Sequence, residues 1–196
     1  MKPRALLAMA LIAGPLALAA TIHGGYISLP AEAVAGTAEP LPFEVGGPFA
    51  LIDHNGAPRD HADFQGQAQI VYFGYTACPN TCSTALATIA AALDDLAASG
   101  ADVGAIFITV DPAHDTPARL AEFVPRIHPR LVGLTGDRAD IARVQQAWRI
   151  DANQVAAGLF DHAPVAYLMG PESEVLTLFP PILPPERLAA IIRGYL

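Results

Sequence analysis

Both cysteines of this 196-residue chain lie in one stretch, Phe73-Gly74-Tyr75-Thr76-Ala77-Cys78-Pro79-Asn80-Thr81-Cys82, and no other cysteine occurs. The apolar run Ala68–Phe73 before it predicts a buried strand. After it, Leu86, Ile89, Ala90, Leu93 and Leu96 recur at helical spacing and predict a helix over Thr84–Ser99. The pair therefore sits where a central strand turns into a helix. Unpaired backbone N–H groups and the positive end of the helix macrodipole favour thiolate over thiol at such a place. Three residues separate Cys78 from Cys82, so on a continuing first turn both side chains share one face about one turn apart. That spacing permits a disulfide or chelation of one soft ion. A purely structural disulfide is the bland alternative, but a bridge closing so small a loop removes little unfolded-state entropy and is a weak staple.

The chain is long enough for one full core. Its formal net charge is −8 with pI near 5.0, and setting aside Lys2 and Arg4 leaves nine basic against nineteen acidic residues. No basic footprint for nucleic acid exists. An acidic surface fits a basic partner or a cation, although solubility is its commoner meaning.

Met1–Ile22 carries Lys2 and Arg4 and then an uncharged Ala- and Leu-rich run, which reads as an export signal or a single membrane anchor. Either places the remainder outside the cytoplasm, where disulfides and copper are both at home. Residues 23–46 lack a sustained period and read as a flexible tether, and 47–196 as the globular domain. There, Phe49–Ile52 predicts a short strand followed by a turn at Asp53–Gly56, and Val103–Val110 a second buried strand. Thr116 is placed to cap a helix starting at Pro117, which Pro125 kinks or ends. Leu131–Leu134 predicts a third strand, and Asp137 or Arg138 opens a helix whose apolar stripe is Ile141, Val144 and Trp148, with Trp148 a core residue. Residues 150–161 read as irregular. Val165–Met169 and Val175–Phe179 form an antiparallel pair, and Pro185–Tyr195 is a closing helix with Leu188, Ile191 and Ile192 inward. The fold class is α/β: a mixed sheet with helices on both faces, open at the carboxyl ends of its first parallel strands.

A third ligand would decide between a metal site and a redox pair. His162, in Phe160-Asp161-His162-Ala163-Pro164, is the candidate, because in a thioredoxin-like sheet the loop entering the following strand faces the cysteine turn. Two thiolates and an imidazole suit Cu(I), and a water or nearby oxygen would extend the set to Cu(II); zinc ordinarily takes a fourth protein ligand. A surface role for the histidine is the alternative. His23, His54, His61, His114 and His128 have no cysteine or histidine at ligand spacing, and surface or capping roles fit them better.

Several segments in order, Gly46–Phe49, Phe73–Pro79, Phe107-Ile108-Thr109-Val110-Asp111-Pro112, Asp115-Thr116-Pro117, Gly133–Gly136 and Asp161-His162, resemble the Sco/SenC copper-chaperone family over about residues 46–180. The resemblance implies a thioredoxin-like, membrane-tethered domain facing the periplasm or intermembrane space; a cleaved leader would instead leave it soluble in the periplasm. It also implies copper on Cys78, Cys82 and His162, received from an upstream donor and delivered to the binuclear centre of cytochrome c oxidase. Asp111 and Asp115 match the family's acidic loop residues. Asn80 stands for the usual aspartate, Ser83 for a proline and His114 for an arginine; none of these removes a ligand. The alternative function is a thiol-disulfide oxidoreductase or redox sensor, with Cys78 attacking and Cys82 resolving. A peroxidase-like reading would need an arginine beside Thr76, and none lies near it in sequence.

Overall fold

The computed structural model describes residues 21–23, 26–28, 41–79, 81–156, 159–161, 164–181 and 183–196. Residues 1–20 of the expected leader Met1–Ile22, most of the expected tether over residues 23–46, Asn80 and His162 lie outside the described residues. Among the described residues no helix is long and apolar enough to cross a membrane. The chain divides into two compact units, Met1–Ala35 and Gly36–Leu196. In the first, β1 (Thr21–His23) pairs antiparallel with β2 (Tyr26–Ser28). Ile22 and Ile27 are partners in its register.

The second unit is built on one seven-stranded sheet in the order β11-β10-β5-β6-β7-β3-β4. Its strands are β3 (Ala50–Asp53), β4 (Pro58–Asp60), β5 (Ala68–Gly74), β6 (Val103–Thr109), β7 (Leu131–Thr135), β10 (Ala166–Met169) and β11 (Val175–Phe179). β5, β6 and β7 run parallel, and antiparallel strands complete both sides. The helices are α1 (Thr81–Ala98), α2 (Pro117–Phe123), α3 (Arg138–Ala147) and α4 (Pro185–Arg193). β5 and β6 are buried at every position, as central parallel strands covered on both faces must be. Successive side chains of β5 point to opposite faces. Tyr72 packs toward Cys82 of α1, while Phe73 packs on Trp148 just after α3, with ring centroids 5.8 Å apart. Both faces of the sheet are therefore covered by helices, as the hydrophobic pattern predicts.

Local signals end the elements where expected. Asp53 turns β3 back by accepting the N–H of Asn55 at 2.8 Å and of Ala57 at 2.9 Å. Thr116 caps α2 by accepting the Arg119 N–H, and Asp137 caps α3 by accepting the Asp140 N–H. Pro125 falls in the 3-10 turn Val124–Arg126 that terminates α2. On α4, Ala189 is buried with Leu188 and Ile192, whereas Ile191 is only half-buried. Residues 150–161 are not irregular throughout: β8 (Asn153–Ala156) and β9 (Leu159–Asp161) form a separate antiparallel hairpin. All four residues of β8 are exposed, so no inside-outside alternation exists for a period-2 pattern to record.

The parallel core leaves one side chain no room. A Cβ on Gly133 of β7 would lie 2.6 Å from Val124 Cγ2 and 3.4 Å from Leu120 Cβ, because α2 and its 3-10 extension rest directly on the strand. Gly133→Ala is expected to lower stability by about 1–3 kcal/mol through overpacking. Chemical denaturation with an unchanged m-value is the measurement, and a variant as stable as the parent would show that α2 yields freely.

Candidate metal and thiol site

Register determines which loops meet at one end of the sheet. Gly74, the last residue of β5, lies beside Thr109, the last of β6, and the Val110 N–H donates to the Gly74 carbonyl at 2.8 Å. β10 runs the other way, with Ala166 opposite Tyr72. The segment entering β10 at Pro164 and Val165 therefore arrives where the cysteine turn leaves. Three segments far apart in sequence, 75–82, 110–116 and 159–165, are brought to the carboxyl ends of β5 and β6.

The cysteine turn is held from beneath by Asp115, which is 1% exposed. Its carboxylate accepts the Thr76 N–H at 3.0 Å, the Thr76 hydroxyl at 2.6 Å and the Thr109 hydroxyl at 2.6 Å. Arg119 Nε donates to the Thr76 hydroxyl oxygen at 3.3 Å. Sequence proximity was the wrong criterion for that arginine: α2 brings it to Thr76 from 43 positions away. Asp111 makes a different contact, meeting His114 Nδ1 at 2.7 Å. The two acidic loop residues are thus structural in distinct ways, one pinning the turn and the other pairing with an exposed imidazole.

Cys78 and Cys82 are both free thiols in unlike settings. Cys78 is half-buried and precedes the helix, which begins at Thr81. Its Sγ accepts the Cys82 backbone N–H at 3.3 Å, the interaction expected of a sulfur at a helix mouth. Cys82 belongs to the helix and is 1% exposed, packed near Gly74 and Tyr72. Burial, reinforced by the neighbouring Cys78, pushes its thiol up to about 12. The expectation that the helix end favours thiolate at both positions fails for Cys82, because loss of solvent outweighs the helix dipole there. Tyr72 is also held well above its usual range by burial and by Cys82.

An open cleft of about 360 Å³ lies beside Cys78. Tyr75, Cys78, Pro79 and Thr81 form one side, and Leu159, Phe160, Asp161 and Pro164 the other. His162 lies outside the described residues, but its flanks Asp161 and Pro164 both line this cleft. Among the described residues no three His, Cys, Asp or Glu side chains gather as a metal-binding group. His54 Nδ1 accepts the Gly133 N–H and His128 Nδ1 accepts the Arg130 N–H, both capping contacts, although His128 is buried rather than at the surface. Sequence reasoning missed Tyr75 and Phe160, whose rings meet edge-on at 5.4 Å from positions 85 apart. The aromatic Tyr75 beside the cysteine motif was the available signal.

A family model described as SCO1/SenC matches residues 37–196. The SenC protein of Rhodobacter capsulatus is 38% identical over 157 residues, covering 78% of this chain and 71% of the relative. The mitochondrial SCO1 homolog 1 of Arabidopsis thaliana is 38% identical over 140 residues, covering 69% of this chain and 42% of the relative, so the match spans less than half of that protein. The crystal structure of Arabidopsis thaliana ScoI with copper bound superposes with a TM-score of 0.74 at 35% identity, over 77% of this chain and 98% of that one.

Two measurements check the site's construction. Under mild alkylation near pH 8, one equivalent of reagent is expected to modify Cys78 and spare Cys82, because with a thiol near 12 only about one Cys82 in ten thousand is thiolate there; peptide mapping showing equal labelling would contradict this. Asp115→Ala leaves three donors without their acceptor and is expected to cost about 2–4 kcal/mol in urea unfolding.

Proposed function

The chain belongs to the SCO1/SenC family, and from that membership we propose that it carries copper on Cys78, Cys82 and His162 and delivers it to the binuclear copper centre of cytochrome c oxidase. The observation that carries this reading is the shared cleft, with Cys78 on one side and Asp161 and Pro164, the flanks of His162, on the other. Two sulfurs and one imidazole form a soft donor set of the kind that takes Cu(I), and a cargo ion must be held where a partner can reach it. Cys78 meets that need by its partial exposure; Cys82 would have to give up its proton to the incoming ion. Copper is then cargo, taken from an upstream donor and passed by ligand exchange to an acceptor's thiols and imidazoles. We place the domain outside the cytoplasm, on the periplasmic face of a membrane through its N-terminal segment or soluble in the periplasm.

The unequal cysteines favour a second reading in the same site. An accessible Cys78 beside a buried, protonated Cys82 is the arrangement of an attacking and a resolving thiol. Reduction of the acceptor's disulfide would precede copper transfer, since only thiolates take up the metal.

Titration of the full chain with Cu(I) against a competing chelator tests the first reading. One copper per chain is expected, with binding lost in Cys78→Ser or Cys82→Ser and weakened at least about tenfold in His162→Ala. Affinity unchanged in His162→Ala would remove that residue from the site. Failure of the reduced chain to open the acceptor's disulfide would exclude the second reading.

A further inference from the structure

Tyr75 occupies the junction between the two sides of the cleft. Its carbonyl accepts the Cys78 N–H at 3.2 Å, closing the cysteine turn, and its side chain is 2% exposed. The ring stands edge-on to Phe160 of β9, and the hydroxyl oxygen accepts the Phe160 N–H at 3.4 Å. A phenol that accepts through its oxygen still has one hydrogen to donate. Cys78 lines the same cleft wall as Tyr75.

We infer that Tyr75 is a positioning residue of the metal site: its side chain fastens β9 to the cysteine turn, and its O–H donates to the Cys78 sulfur. The fastening matters because β9 ends at Asp161, one residue before His162, and no element of the main sheet pairs with it. Among the described residues the only strand partner of β9 is β8, all of whose residues are exposed. Without Tyr75, the segment leading into position 162 loses its anchor to the thiols. The donated hydrogen bond acts on the sulfur itself. A donor aimed at a thiolate draws off electron density and weakens its push onto a bound metal, as partners around the ligand shell commonly do.

The part concerning the metal rests on the copper-binding reading; the tie to β9 does not. Tyr75→Phe keeps the ring contact and removes both hydrogen bonds, and Tyr75→Ala removes the ring as well. In the metal-free full chain, amide exchange at Phe160 is expected to quicken about 2- to 10-fold in Tyr75→Phe, with β5 and β6 amides unchanged, and further in Tyr75→Ala. In chains loaded with Cu(II), the sulfur-to-copper charge-transfer band is expected at longer wavelength in Tyr75→Phe than in the parent. Unchanged exchange at Phe160 overturns the fastening, and an unmoved band overturns the sulfur contact. His162→Ala serves as the separate control: parent-like copper affinity there refutes the three-ligand reading, while Phe160 exchange still decides the role of Tyr75.

Discussion

The buried carboxylate of Asp115 is the constraint on which the cysteine end of the molecule depends. A carboxylate with 1% exposure is tolerable only when its oxygens are fully engaged, and here a backbone N–H and two threonine hydroxyls engage them. Those donors come from the turn after β5 and from the end of β6, so one side chain ties two parallel strands at the point where both stop. The same residue precedes Thr116, which caps α2, and α2 returns Arg119 to the Thr76 hydroxyl. The cysteine turn is thereby supported from three directions without any of these groups entering the cleft.

On that support, the two sulfurs diverge because the helix starts between them. Cys78 stands outside the first turn and accepts one of its unpaired N–H groups; Cys82 stands inside it and points at the sheet. At Cys82, desolvation opposes the helix-end electrostatics, and its burial decides the outcome. Uptake of a metal, or formation of a disulfide, must draw Cys82 out of its protonated resting form. The pair is therefore built with a reactive member and a reserved one, an asymmetry that both proposed activities use.

Much of the sheet was legible because its signals are local. Continuous apolar runs mark β5 and β6, Thr116 and Asp137 mark helix starts, and Pro125 marks an end. The cysteine pair was legible for the same reason, since its meaning follows from the strand before it and the helix after it. What escaped were features without local periodicity. β8 and β9 bury almost nothing and leave no pattern, the Arg119–Thr76 contact spans 43 positions, and the Tyr75–Phe160 contact spans 85. Burial of Cys82 escaped as well, because a helix's N-terminal position is visible in sequence while the depth of its first turn against the sheet is not. Gly74 records that depth: a Cβ there would lie 3.2 Å from Cys82 Sγ and 2.9 Å from Phe107.

The division between what is rigid and what is lightly attached follows the proposed task. Cys82 is set in the helix over the central sheet, where a sulfur cannot be displaced without disturbing the core. The opposite side of the cleft is a two-stranded hairpin held to the turn by a tyrosine and a phenylalanine. A carrier that must release its cargo needs one ligand segment whose detachment costs little, and such segments come from the least stable parts of a fold. Among the described residues the hairpin meets the cysteine turn through the Tyr75–Phe160 ring contact and one long hydrogen bond, so on the proposed reading it would be that segment, while the Asp115 network holds the turn.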